Sequence, residues 1–347
     1  MALNVWRLRH WYGGISTSDK RGIDGSFNFG IGLDFKTSPD LLSANLALAN
    51  ESSTTVAGLV KWFERDGTTT YAYDDIGRIY SEAGGTWSQL RAVASSGGQG
   101  FAIFNDQLFY TQDTQLGRYQ PLSGTPAFTD AYQIALTNTS AFDFAPMIVF
   151  LNLLIVGHGR TISTLNASGT WTASQFTLPL GWNIKSLAVR GDFLYIGAFR
   201  GTAITQYGQG ALFTWDGTAT TWNSIEIIEE SGVNALLNYN DTLYVWAGIK
   251  GNIYQYIDGR YVKIKRVPNI GAANYADVFP GAVTAWNGLV HFGMAGTTDS
   301  ATLFQGVYTW GQIEKNYPEV LNFDYPISTG NTQATNISIG AVKGVSP

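Results

Sequence analysis

Chemistry has few carriers in this chain. Three histidines, His10, His158 and His291, are scattered along 347 residues, and there is no cysteine. No pair of histidines has the HxxxH spacing that sets two imidazoles on one metal ion, and no thiolate is present to complete a zinc site. Disulfides and a thiol nucleophile are excluded with it, which suits a protein assembled in a reducing cell that later works outside it. His158 in "VGHGR" and His291 in "LVHFGM" follow strand-like runs. They read as hydrogen-bonding groups at strand ends rather than as bases or ligands. Asp74-Asp75 in "YAYDDIGRIY" reads as a pair of turn formers. A weak calcium site there lacks the ladder of oxygen ligands that an EF-hand supplies. Glu229-Glu230 in "IIEESG" reads as the end of a strand on a solvated face. No GxxxxGK[ST] loop is present, and the glycine-rich "GSFNFGIG" (25–32) leads into no helix, so it is a strand and not a phosphate cradle. The expectation is a non-enzymatic protein with no cofactor, no metal and no catalytic residues.

The elements that carry these residues follow from composition. Charged residues are 14% of the chain, against about 25% in an average globular protein. Aromatics are also 14%, and 40 glycines stand against 10 prolines. That mixture describes short strands and tight turns, an all-β protein. The net charge of −5 leaves no basic stripe to track phosphates, so nucleic-acid binding is not expected. The opening "MALNVWRLRHWYGG" lacks the apolar core of a secretory leader. The run "MIVFLNLLIVG" (147–157) is too short to span a bilayer and is split by Asn152. A soluble protein without membrane insertion is expected.

Within the apolar runs one turn chemistry recurs. Asp24-Gly25, Asp66-Gly67, Asn105-Asp106, Asn152, Gly191-Asp192, Asn240-Asp241 and Asn287-Gly288 each divide two strand-like segments. These residues tolerate the positive φ that two-residue hairpin loops demand. They recur every 40–50 residues or so, the period of a β-propeller blade. Third strands follow, such as "RIYSEAG" (78–84) and "NIYQYIDG" (252–259), and fourth strands open on Trp or Tyr, as in "GTWSQL" (85–90), "GTWTAS" (169–174) and "TTWNSIEI" (220–227). A β-sandwich also yields many short strands, but it has no reason to repeat one turn at one spacing.

A seven-bladed propeller is expected, with residues 24–347 as one domain and residues 1–23 as an N-terminal arm. The closing "NISIGAV" (336–342) precedes a Lys343-Gly344 turn and lacks a partner, whereas "SFNFGIGLDF" (26–35) and "DLLSANLAL" (40–48) lack a first strand. Joined, they make one composite seventh blade that leaves no open edge. A chain that continues beyond residue 347 is the alternative. Insertions at 200–210 and 295–306 fall between second and third strands and so project from one rim, where function usually sits. The arm concentrates Trp6, Arg7, Arg9, His10, Trp11 and Tyr12, residue types enriched at interface anchors. Those six, with Tyr207 and Phe304 in the insertions, are the candidate interaction residues. An arm that merely plugs its own disc is the other reading.

A sialidase-type propeller would carry Asp-box turns of the form S-x-D-x-G-x-x-W. Here "SEAGGTW" (81–87) lacks the Asp, and "TWDGTATTW" (214–222) has altered spacing. Both are explained by a tight turn with a packed Trp. Such an enzyme also needs arginines converging at the ring centre, a role for which Arg65, Arg78, Arg160, Arg190 and Arg200 are the candidates. Glycosidase chemistry further needs two carboxyls at a set separation.

Residues 11–91, with "WYGGISTSDKRGIDGSFNFGIGLDFKTSPD" followed by "LVKWFERDGTTTYAYDDIGRIYSE", resemble the N-terminal part of uncharacterised structural proteins of tailed bacteriophages. The resemblance covers about a quarter of the chain and carries no catalytic residue. It implies a virion component assembled in the host cytoplasm, in the tail as a nozzle, hub or tail-tip part. Expected partners are other tail proteins and copies of the chain itself. A glycan- or receptor-binding propeller meeting the host surface is the first alternative, and a propeller glycosidase the second.

Overall fold

The structure is a computed structural model and describes residues 33–34, 43–44, 56, 58, 60–92, 97–137, 144–201, 208–257, 259–268, 270, 275–296, 304–312 and 319–326. The described elements are all strands. A two-residue antiparallel pair, β1 (Leu33–Asp34) and β2 (Ser43–Ala44), comes first. Four-stranded antiparallel sheets follow in chain order. Blade one is β3 (Val60–Asp66), β4 (Thr69–Asp74), β5 (Ile79–Ala83) and β6 (Thr86–Arg91). Blade two is β7 (Gly100–Phe104), β8 (Gln107–Gln112), β9 (Gln115–Gln120) and β10 (Ala127–Gln133). Blade three is β11 (Met147–Phe150), β12 (Leu153–His158), β13 (Thr161–Asn166) and β14 (Trp171–Thr177). Blade four is β15 (Trp182–Arg190), β16 (Phe193–Arg200), β17 (Gln209–Trp215) and β18 (Ser224–Ile228). Blade five is β19 (Val233–Tyr239), β20 (Thr242–Ala247), β21 (Asn252–Ile257) and β22 (Arg260–Arg266). Blade six adds a short β23 (Ala276–Asp277) to β24 (Val283–Trp286), β25 (Leu289–Gly296), β26 (Gly306–Gly311) and β27 (Val320–Pro326).

The first strands of successive blades lie against one another, which places them innermost and makes the arrangement a β-propeller. The described residues form six blades, not the seven expected. The last expected strand, at 336–342, lies outside the described residues, as do the Asp24-Gly25 and Lys343-Gly344 turns. The pair β1–β2 falls within the two segments, 26–35 and 40–48, expected as neighbouring strands, and β1 lies against β27.

Each second strand shows why the blades stack. In β20, Leu243, Val245 and Ala247 enter the cluster shared with blade four, while Tyr244 and Trp246 enter the cluster shared with blade six. In β8, Leu108 and Tyr110 face blade one, and Phe109 faces blade three. A strand apolar on both faces cannot be half-solvated, so every sheet needs a neighbour on each side. Aromatic contacts span these joints, including Tyr73 on Phe101 at 5.3 Å and Trp246 on Phe292 at 5.4 Å.

The inner hairpins are the tight loops expected. Asn105-Asp106, Leu151-Asn152, Asn240-Asp241 and Asn287-Gly288 have positive φ at both positions, whereas Gly67-Thr68 and Gly191-Asp192 have it at the glycine alone. These are the mirror-image turns whose twist matches the flanking strands. They define a lower rim. The upper rim carries the turns between second and third strands and the links between blades.

Candidate functional site

Two upper-rim features concentrate polar side chains. The first is a groove of about 570 Å³ across the top of blade three. Its walls come from three separate segments: the link leaving blade two, the β12–β13 turn, and β14 with the link into blade four. A register shift between Ile162 and Thr164 loosens β13 from β14 and sets Ala173 and Ser174 along the groove. His158 forms the floor. It is buried, its Nδ1 accepts the Thr137 backbone N–H at 2.9 Å, and its Nε2 lies 2.7 Å from the Ser163 hydroxyl. Ser163 donates onward to the Ala173 carbonyl. That chain of donors assigns the proton to Nε2 and holds the ring neutral, and burial pushes its pKa down to about 4. Ser163 therefore accepts a hydrogen bond from His158 and donates its own to Ala173, the reverse of a hydroxyl activated by a histidine base.

Arg160 stands exposed at the tip of the same turn, with Nη1 donating to the Leu178 carbonyl at 2.9 Å. On the other side, Nε of Arg200 lies 3.6 Å from where a Cβ on Gly181 would sit. Gly181, at φ +89°, occupies the left-handed region and leaves room for that guanidinium. Among the described residues no carboxylate lines the groove and neither arginine has an acidic partner.

The second feature lies over the ring centre. The segment 275–282, leading into β24, crosses the inner ends of several blades. Asp277 accepts from Lys185 Nζ at 2.8 and 3.0 Å, and Lys185 also donates to Asn234 at 3.2 Å. Phe279 packs on Trp62 of blade one and on Phe144 before blade three, at 5.4 and 5.7 Å. Lys185 is fully buried, with its ammonium 4.7 Å from the centre of the Phe144 ring. Burial lowers its pKa and the Asp277 carboxylate opposes that shift. Both groups are spent on each other, so this is a crossbar that ties blade six to blades one, three, four and five.

Other candidates resolve into structure. Asp74 is buried, accepting from the backbone of Arg78 and Ile76 and from the Tyr80 hydroxyl, and burial raises its pKa against those bonds. Asp216, in the Asp-box-like turn, accepts from Thr218, Ala219 and Asn223, which hold its carboxyl well below the usual range, while Trp215 donates to Ala219. Glu230 departs from the solvated strand end expected. It turns inward to accept from Asn252, Tyr254 and Lys263 at the joint of blades four and five. His291 contacts the Trp286 carbonyl at 3.2 Å. The five arginines named for a ring-centre cluster do not converge. Arg65 bonds its own hairpin and Arg190 bonds Asp241, both at the lower rim. Arg78, Arg160 and Arg200 lie at upper-rim turns.

Of the candidate interaction residues, Trp6, Arg7, Arg9, His10, Trp11, Tyr12 and Tyr207 lie outside the described residues. Phe304 is not projected to solvent as expected. It is 0% exposed in the core between blades five and six, and its carbonyl accepts the Tyr308 hydroxyl. Aromatic character marked it as an anchor, but an aromatic beside a glycine strand start is as well suited to the core. The groove went unread because its lining is split over some fifty residues. Its one local signal is Leu180 in "LPLGW", an apolar residue in a turn.

No protein-family model matches this chain, and no curated protein matches it. Among solved structures it is similar to the computationally designed Ika8 protein, at 13% identity over 77% of this chain and 88% of that one, with a TM-score of 0.47. It is also similar to YCF48 in a structure with bound D1 peptide, at 9% identity over 77% and 82% of the chains, with a TM-score of 0.50. The second likeness extends to the fold alone.

Proposed function

We propose that this protein is a structural subunit of a bacteriophage virion, placed in the tail, where it serves as a rigid disc on which neighbouring proteins and copies of itself dock. The observation that carries the reading is the resemblance of residues 11–91 to phage structural proteins. The geometry favours docking over catalysis, since His158, Asp74, Asp216 and Lys185 each spend their polar atoms on the fold. The crossbar over the ring centre supports a stiff disc.

A seventh, composite blade belongs to this reading. Ala72 and Tyr80 face away from blade two, and Thr309 and Asn322 face away from blade five, yet all four are buried. No apolar cluster among the described residues joins blade six to blade one. A sheet built from β1, β2 and residues 336–342 would fill that place.

Mass spectrometry of purified particles, with subunit-resolution imaging of the tail, tests the assignment. The chain is expected in stoichiometric amount as a ring, and particles that lack it refute the reading. A second reading, a glycan-binding propeller at the tail tip, is favoured by Trp286, which is 48% exposed on the lower rim. Glycan-array binding lost in Trp286→Ala would support it.

A further inference from the structure

The blade-three groove has features that the fold does not require. The most exposed large aliphatic side chain among the described residues, Leu180 at 81%, lines it. An aliphatic side chain this exposed is not required by turn chemistry, which favours Asn, Asp and Gly at such positions. Arg160 lines the groove, Arg200 sits beside the lining Gly181, and no carboxylate is among the described lining residues. Hydroxyls of Thr137 and Ser174 and the Asn183 amide complete the polar edge.

We propose that this groove is a docking site for an extended acidic segment of a neighbouring protein, one that sets a carboxylate against Arg160 and an aliphatic side chain against Leu180. Charge complementarity selects the acid, because the exposed Arg160 guanidinium has no acidic partner among the described residues and keeps donors open to a carboxylate. The exposed Leu180 selects a peptide over a saccharide. Sugars stack on open aromatic faces, and Trp182, the one Trp, Tyr or Phe among the described lining residues, is 5% exposed and belongs to the core. The volume matches a few residues of extended chain rather than a folded partner. The inference deepens the docking function proposed above and rests on it, but not on the virion assignment.

Selection of a displayed random octapeptide library on the full chain is the test. Enriched peptides are expected to pair Asp or Glu with Leu, Ile, Val or Met, and a synthetic copy should weaken about tenfold or more with Arg160→Glu and with Leu180→Asp. Leu180 is solvent-facing, so its variant is expected to fold as the parent does, which a thermal melt checks. Raising salt should weaken the acidic peptides and spare Asn or Gln copies. The proposal is overturned if no acidic-aliphatic class is enriched, or if enriched peptides ignore both substitutions. It is equally overturned if uronic-acid oligosaccharides, rather than peptides, bind in an Arg160-dependent way. Peptide binding by a chain absent from phage particles would leave the groove standing and remove the virion assignment.

Discussion

At the scale of single residues, His158 links structure to pH. The folded chain keeps it neutral with a pKa near 4, whereas an unfolded histidine titrates near 6.5. Between those values the unfolded state binds more protons, so the contribution is complete above about pH 6.5 and falls as pH drops toward 4. The span corresponds to about 3 kcal/mol, lost at up to about 1.4 kcal/mol per pH unit. Denaturant melts at pH 7, 5.5 and 4 should show this slope in the parent and a flatter one in His158→Gln. Equal slopes would mean that the imidazole is hydrated. The sequence reading of His158 as a hydrogen-bonding group at a strand end agrees with the bonds seen, because a lone imidazole in an apolar run without a second ligand has little else to do. Lys185 escaped that reading. Its partner Asp277 is 92 residues away, and a lysine in "WNIKSLAV" looks like an ordinary solvated position until the ring brings the two together.

Elements were more legible than residues, because hairpin loops are decided locally. Asn-Asp, Asn-Gly and Gly-Asp dipeptides marked inner turns in blades whose strand pairs are those expected, since positive φ at one or both loop positions tolerates few residue types. Trp222 shows the limit of such signals. It was expected to open the fourth strand of blade four, but β18 begins at Ser224 and Trp222 sits in the preceding turn, edge-on to Phe213 at 5.8 Å. Packing between blades was harder to see and depends on small residues in second strands. A Cβ on Gly197 would collide with the Ser186 hydroxyl and with Val233 of the next blade, and one on Gly157 would meet Ile184 at 2.8 Å. Gly197→Val should therefore push blades four and five apart, at a cost of about 1–3 kcal/mol for overpacking. A chemical-denaturation midpoint lowered by that amount, with Phe193→Val as a solvent-facing control near zero, checks it. No change in Gly197→Val would show that the joint has slack.

For the whole molecule the question that matters is how blade six meets blade one. The repeat period tells a reader that blades exist, but ring closure depends on two segments about 300 residues apart, and no local signal registers such pairing. The crossbar of Phe279 on Trp62 joins these blades only at the centre. Farther out, the Tyr80 face of blade one and the Asn322 face of blade six are buried, with no apolar cluster among the described residues joining them. Under composite closure, deleting residues 336–347 removes the innermost rung and uncovers both faces, leaving unpaired strand edges. Amide exchange in β4, β5 and β26 should then speed up about tenfold for each 1.4 kcal/mol of closure lost, while β12 and β16, on the far side of the ring, hold their protection. Uniform exchange in the shortened and full chains would show that these faces are covered some other way, and the composite blade would have to be given up. The contrast between near and far blades separates this outcome from general destabilisation, which would loosen all six alike.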